Sequence, residues 1–124
     1  MTLKHDPKFY DALNRFVAMV NHRYEVYWQA MGYTHGKAPI VEIDPNGRKY
    51  IRLVKRDRDT NGEVIERGGS VFAFINTDTG GVHKPASWAA PVTKNVRGNI
   101  MNDDNGAEAV TPEGAHPFIV YLRG

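Results

Sequence analysis

The strongest constraint on the fold is an apolar pattern of helical period in the segment DPKFYDALNRFVAMVNHRYEVYWQAMG. Asp6 suits a helix N-cap, Pro7 suits the first helical position, and Gly32 suits a stop. The apolar residues that share one face are Phe9, Leu13, Phe16, Val17, Val20, Tyr24, Tyr27, Trp28 and Met31. The pattern predicts a helix over about 7–31. Since roughly 24 helical residues extend about 36 Å, we expect this helix to lie across a sheet.

Segments rich in β-branched and aromatic residues follow the helix and predict strands. KAPIVEID reads as a short strand, and RKYIRLVKRD as a longer one. SVFAFIN is apolar on both faces, with Phe72 and Phe74 expected on one and Ala73 on the other. A strand that is apolar on both faces is typical of a central position, covered on both sides.

Turn signals separate these strands and suggest antiparallel pairing. TNGE at 60–63 predicts a hairpin turn, because Asn-Gly accepts positive φ angles. A short strand at 82–84 and a closing strand, PFIVYLR, at 117–123 would complete a sheet of roughly four to six strands. The predicted class is α+β, a long N-terminal helix packed on a small antiparallel β-sheet. We expect one domain over 1–124, with the sheet and loops at about 39–124.

The residue inventory excludes several kinds of active site. The chain has no cysteine, so disulfides, cysteine zinc sites and thiol nucleophiles are ruled out. The five histidines are scattered, and neither a nucleophile elbow, an HExxH motif nor a P-loop is present. NDDNG at 102–106 has calcium-type oxygens without the twelve-residue calcium pattern, which favours an Asx-rich turn. We therefore predict no catalytic residues, no metal, no cofactor and no enzymatic activity.

The lengths of the apolar runs indicate where in the cell we expect the protein. No run approaches the roughly 20 residues that a membrane span needs. The opening segment MTLKHDPKFY lacks the apolar core of a signal peptide. We expect a cytoplasmic protein with no membrane partner.

Charge is unevenly distributed, although the net charge is only +2. The segment 48–58 holds six cations and one acid, whereas 101–124 holds four acids and one cation. This asymmetry predicts a polarised surface. The sequence leaves open whether the acidic segment 103–113 covers the basic segment 48–58.

Cations interleaved with aromatic residues give the clearest functional signal. Cations neutralise phosphates and aromatic rings stack on bases, so the mixture predicts a surface for nucleic acid or another phosphate-bearing ligand. The predicted ligand-binding residues are Arg52, Lys55, Trp88, Lys94, Arg97 and Asn99. Strand alternation puts Arg52 and Lys55 on opposite faces. The alternative is a solvated edge hairpin whose lysines and arginines oppose strand-to-strand aggregation.

The segment HKPASWAAPVTKNVRGNI, 83–100, admits two interpretations. In one, Trp88 stacks on a ligand while Lys94, Arg97 and Asn99 bind its anionic group. In the other, the segment is a structural crossover fixed by a buried Trp88, with prolines ending the regular structure on either side.

SVFAFIN, TDTGGVHK and PASWAAPVTKNVRGNI together resemble a family of small uncharacterised proteins from tailed bacteriophages. The resemblance covers about 39–104. The chain departs from the family pattern at Gly81, where relatives often have an acid, and near Ala89, where they have a lysine. RDRDTNGEVIERGG looks like an extension beyond the shortest relatives. The resemblance implies expression in a bacterial cytoplasm and implies no particular activity.

Three functional hypotheses follow from the sequence. The leading one is a small non-enzymatic phage-type protein that binds a phosphate-bearing ligand, with nucleic acid favoured. The second is a host-interaction or anti-defence protein that docks a host protein on Tyr24, Tyr27 and Trp28, or sequesters a nucleotide signal. The third is a virion or assembly component whose helix self-associates. The oligomeric state stays open.

Overall fold

The computed structural model describes residues 6–32, 37–44 and 47–120. A long helix precedes five antiparallel strands, which lie in chain order across one sheet. The elements are α1 (Pro7–Ala30), β1 (Lys37–Asp44), β2 (Tyr50–Arg58), β3 (Ser70–Asn76), β4 (Gly81–His83), β5 (Gly98–Asn99) and a 3₁₀ turn (Ala107–Ala109). The predicted α+β arrangement is confirmed.

The ends of α1 follow the signals in the sequence. The Asp6 carboxylate accepts a hydrogen bond of 2.9 Å from the Lys8 backbone N–H, and Pro7 occupies the first turn. Met31 caps the C-terminus, and Gly32 follows with a φ of 69°. A positive φ of this kind favours glycine, so the helix ends where the sequence predicts. None of the helices in the described ranges is long and apolar enough to cross a membrane.

One face of α1 packs against the sheet and forms the core. We call this side of the sheet the inner face; its buried residues are Ile51, Leu53, Ala73, Ile75 and Val82. The helix contributes Phe9, Ala12, Leu13, Phe16, Val20 and Tyr24. Asn21 ties the helix to β1, since its side-chain amide donates to the Val41 carbonyl at 3.2 Å and accepts from the Val41 N–H at 2.7 Å.

A bulge in β3 corrects one prediction. The pairing with β2 shifts between Leu53 opposite Ala73 and Val54 opposite Val71, so Phe72 is an extra residue. A bulge interrupts the strict alternation of a strand. Phe72 therefore packs on the inner side, 6.2 Å from the Tyr24 ring, and does not share a face with Phe74 as predicted.

The strand that carries the basic run is central and not at an edge. Strand β2 lies between β1 and β3, so the edge-hairpin interpretation of its cations is wrong. The predicted turn at 60–63 does form, with the Asp59 carboxylate accepting from Asn61 and Glu63 N–H groups at 2.9 and 3.0 Å. After one bridge between Arg58 and Val64 the chain leaves the sheet, and β3 begins only at Ser70.

The acidic segment lies against the helix. The Asn105 amide donates to the Ala12 carbonyl at 2.7 Å, and the Arg23 guanidinium donates to the Thr111 carbonyl at 2.8 Å. Among the described residues no hydrogen bond or ion pair joins 103–113 to 48–58.

Of the predicted closing strand at 117–123, the described residues 117–120 form one isolated bridge, between Ile119 and Val110, and belong to none of the five strands of the sheet. Residues 121–123 lie outside the described ranges.

Candidate nucleic-acid interface

Most of the cations in the basic segment 48–58 form ion pairs. Four of the six cations in 48–58 each lie within 4.0 Å of a carboxylate. The pairs are Arg52 with Asp44 (2.9 Å), Arg56 with Glu42 (3.4 Å), Arg58 with Glu25 (2.9 Å) and Lys55 with Asp57 (4.0 Å). No ion pair involves the other two, Arg48 and Lys49, within the part of the chain that the structure describes. The free positive charge therefore lies at the start of β2.

The cations also divide between the two faces of the sheet, as strand alternation predicts. Arg52 pairs across the ladder with Phe74, which in turn pairs with His83, and these side chains define the outer face. Lys55 follows Ile51 and Leu53 on the inner side. The predicted residues Arg52 and Lys55 therefore belong to separate surfaces.

A short hairpin over residues 84–92, which we call the Trp88 hairpin, folds onto the outer face. Pro85 and Pro91 form an antiparallel bridge, and the Val92 N–H donates to the Lys84 carbonyl at 2.7 Å. The His83 Nδ1 lies 3.0 Å from the Val92 carbonyl oxygen and ties the base of the hairpin to β4. The two prolines, which predict an end to regular structure, thus flank a tight turn.

The tip of the hairpin brings Trp88 onto Arg52. The Arg52 Nε donates to the Trp88 carbonyl at 2.8 Å, and its guanidinium carbon lies 4.8 Å from the centre of the indole ring. Trp88 remains 49% exposed. The predicted burial of Trp88 is therefore wrong, because the indole stacks on a cation at the surface. Whether the segment 83–100 is a ligand loop or a structural crossover is not decided by this exposure.

A cleft of about 340 Å³ opens beside this stack, between the start of β2 and the hairpin. We call it the Arg48 cleft; its walls include Arg48, Lys49, Tyr50, Arg52, Phe74 and Ala89. The Lys49 ammonium lies 5.8 Å from the centre of the Tyr50 ring. The cleft therefore combines Arg48 and Lys49, which form no ion pair with any described residue, with aromatic surface.

The structure gives Arg97 a structural role. Its Nε donates to the Val120 carbonyl at 2.9 Å, and one terminal nitrogen donates to the Lys94 carbonyl at 3.0 Å and to the Asn95 carbonyl. A guanidinium that is turned onto three backbone carbonyls has few donors left for an anion. The prediction that Arg97 binds an anionic ligand receives no support from this geometry.

Asn99 is likewise engaged in local structure. Its amide donates to the Thr79 carbonyl at 2.7 Å, and its side-chain oxygen accepts from the Met101 N–H at 2.8 Å. Lys94 is exposed, and its backbone carbonyl accepts a hydrogen bond from Arg97. The three residues predicted to bind an anion beside Trp88 are therefore not assembled around the indole by any hydrogen bond in the described part of the chain.

Sequence reasoning missed Arg48, Lys49 and Tyr50 as members of one cleft. Tyr50 lies edge-on to Phe74 and His83, with ring centres 6.3 and 5.2 Å apart. One available signal was the Asn-Gly pair just before these residues, since exposed cations next to a turn meet fewer cross-strand carboxylates.

The structure also describes the Asx-rich turn at 102–106 and the residues of metal-ligating types. The Asp104 carboxylate accepts from the Gly106 and Glu108 N–H groups, both at 3.1 Å, so the acidic turn is held by its own backbone. In the described ranges no three residues of the metal-ligating types lie together.

A model of a family of unknown function, DUF7717, matches residues 7–119. The chain belongs to this family. No curated protein and no solved structure matches the chain. The DUF7717 match begins with α1 and extends past all five strands, so the Arg48 cleft and the Trp88 hairpin lie within the family's extent. The resemblance to tailed-phage proteins stays a prediction.

Proposed function

We propose that the protein is a non-enzymatic binding module for single-stranded nucleic acid, and that the strand lies along the outer face. In this proposal a base stacks on Trp88, while phosphates approach the cations of the Arg48 cleft. The phage origin and the cytoplasmic location predicted from the sequence belong to the same proposal.

The observation that carries the proposal is the stack of Trp88 on Arg52. A guanidinium 4.8 Å from the ring centre orders the indole while leaving it 49% exposed. An ordered, half-exposed aromatic ring is what base stacking uses, and such stacking is worth about 1–3 kcal/mol per base. A duplex hides the faces of its bases, so this geometry favours a single strand.

The charges nearby set the expected strength of the electrostatic contribution. Arg52 is neutralised by Asp44 at 2.9 Å, which leaves Arg48 and Lys49 for phosphate contacts. Two phosphate contacts on a single strand give a slope of log affinity against log salt of about −1.4. Affinity should therefore fall about 7-fold between about 50 and 200 mM salt.

The experiment is a titration of fluorescently labelled single-stranded and duplex oligonucleotides at several salt concentrations. We expect single strands to bind more tightly than duplexes, with the shallow salt dependence given above. Trp88→Ala should weaken binding by about 5-fold or more, and the Arg48→Ala, Lys49→Ala double variant should remove most of the salt dependence.

A matched control variant has the same net charge as the Arg48→Ala, Lys49→Ala variant. Lys8 and Arg15 are exposed on α1, which covers the inner face. The Lys8→Ala, Arg15→Ala double variant also removes two positive charges, but from the opposite side of the sheet. Equal loss of affinity in both double variants would show that binding follows net charge alone, and the site assignment would fail.

The host-protein alternative has less support. Its docking surface requires exposed aromatic residues on α1, but Tyr24 is only 2% exposed and lies in the core. Tyr27 and Trp28 are half-buried. The helix therefore lacks the aromatic patch that motivated this hypothesis.

A further inference from the structure

A second cavity lies at the other end of β2, on the inner side of the sheet. It has a volume of about 420 Å³ and is formed by α1, the beginning of β3, the chain after β4 and the C-terminal segment 116–119. We call it the Lys55 cavity; its walls include Tyr24, Lys55, Phe72, Lys84, His116 and Phe118. Small-molecule sites in proteins commonly begin at about 300 Å³, so the cavity is large enough for a small organic ligand.

The aromatic side chains in the apolar wall of the Lys55 cavity contact one another. The β3 bulge turns Phe72 toward Tyr24, and the Tyr24 hydroxyl donates to the Pro117 carbonyl at 3.2 Å. The His116 ring is edge-on to Tyr24 at 6.0 Å and to Tyr27 at 5.1 Å. These contacts hold several aromatic rings around one space before any ligand arrives.

Phe118 remains solvent-accessible at the rim of this wall. It is 43% exposed although it follows the buried Pro117 and precedes the buried Ile119. Its ring lies 6.3 Å from that of His116. An exposed ring at the mouth of a cavity offers a face on which a planar ligand group can stack.

The polar side of the cavity is positive. Lys55 and Lys84 both line it, and no acidic residue is among the described residues of its walls. Among the described residues, the ion-pair partner of the Lys55 ammonium is the Asp57 carboxylate at 4.0 Å, whose side chain is 73% exposed. Such a solvated pair is easily exchanged for a better-placed anion.

We propose that the Lys55 cavity binds a nucleoside monophosphate. The phosphate meets Lys55 and Lys84, and the base lies among the rings of Phe72, His116 and Phe118. A dianionic phosphate matches two lysines, and a planar base matches an aromatic wall. This site is separate from the outer-face interface, because Arg52 and Lys55 lie on opposite faces of the sheet.

The test is calorimetric titration of the full chain with AMP, GMP, CMP and UMP, alongside the corresponding nucleosides and inorganic phosphate. We expect at least one monophosphate to bind at least about 10-fold more tightly than its nucleoside, since charge-assisted hydrogen bonds supply the difference. Inorganic phosphate should bind more weakly than that monophosphate, because it lacks the base. Failure of all four nucleotides to bind at millimolar concentration would overturn the proposal.

Two variants locate the site. Lys55→Met keeps the aliphatic stem and removes the charge, and it should weaken the monophosphate about 10-fold or more. Phe118→Ala removes an exposed ring and should weaken it about 5-fold or more. Lys94→Ala, which removes an exposed lysine elsewhere, should leave the affinity unchanged. Unchanged binding in both cavity variants would overturn the assignment.

Two variants distinguish the outer-face proposal from the Lys55 cavity proposal. Trp88→Ala should weaken oligonucleotides and leave the monophosphate unaffected, whereas Lys55→Met should do the reverse. If Trp88→Ala weakened the monophosphate as much as Lys55→Met, the nucleotide would be binding at the outer face, and the Lys55 cavity proposal would be refuted.

Discussion

Replacing Arg97 distinguishes a structural residue from a ligand-binding one. Its guanidinium donates to the Val120 carbonyl at 2.9 Å in a partly buried position and to two exposed carbonyls, those of Lys94 and Asn95. Arg97→Lys keeps the charge and replaces the planar fork with a single ammonium group. The geometry then predicts a loss of stability even though the electrostatic field is nearly unchanged.

The size of this loss can be estimated from the exposure of each bond. The partly buried charged bond contributes about 1.5 kcal/mol, and each exposed bond contributes about 0.3 kcal/mol, so the total is about 2 kcal/mol. The unfolding entropy of 124 residues is about 0.26 kcal/mol/K. Arg97→Lys should therefore lower Tm by up to about 8 °C, and Arg97→Ala by a similar amount.

Thermal unfolding followed by far-UV circular dichroism measures the effect, with Lys94→Ala as the control. Lys94 is an exposed neighbouring cation, and its removal should change Tm by no more than about 2 °C. Oligonucleotide affinity, measured well below Tm, should be unchanged in Arg97→Lys and in Lys94→Ala. An unaltered Tm together with a clear loss of affinity in Arg97→Lys would refute the structural role and restore Arg97 to the binding site.

Three further perturbations test the packing. Gly106→Ala should destabilise the fold by about 1–3 kcal/mol in denaturant titrations, because φ is +82° and the new Cβ would lie 2.9 Å from the Phe16 ring; a stability equal to that of the parent would contradict this. Asn21→Ala removes both hydrogen bonds to Val41 and should cost about 2 kcal/mol, and a cost near zero would show that α1 needs no polar tie to β1. Burial raises the pKa of Tyr24 well above its usual value, so the unfolded state ionises first and stability should fall as pH rises above about 10. Tyr24→Phe should make that fall shallower, and an unchanged pH dependence would argue against the shift.

The helix and most strand positions follow from local signals in the sequence. Asp6, Pro7 and Gly32 lie at the helix ends that their capping preferences indicate. The apolar character of 70–76 on both faces correctly predicts a strand inside the sheet. Each of these features depends on residues that are near one another in the chain, which is why pattern reasoning finds them.

Features that depend on distant partners were not accessible from the sequence. The bulge at Phe72 arises from the pairing of β2 with β3, and alternation alone assigned this ring to the wrong face. Arg97 is engaged by the Val120 carbonyl, 23 residues away. The pairing of Arg58 with Glu25 joins strand to helix across 33 residues. A count of cations therefore overstated the charge that is free to meet a ligand.

The candidate site was recovered only in part for the same reason. Trp88 and Arg52 were both predicted, and the structure brings them into contact. Their neighbours in the Arg48 cleft come from the turn before β2, not from the segment after the Trp88 hairpin. The prediction grouped Trp88 with Arg52, which are in contact, and also with Lys94 and Arg97, which do not line the Arg48 cleft.

The central claim is that Trp88 stacks on a base of a single strand. The chain has two tryptophans, so Trp28→Phe leaves Trp88 as the sole indole reporter. We would titrate this variant with an unlabelled single-stranded oligonucleotide at low salt and follow the tryptophan emission. Saturable quenching that is partly reversed by a fourfold increase in salt is the predicted result. An emission spectrum that stays constant while a labelled strand binds would contradict the claim, because it would place the strand away from Trp88.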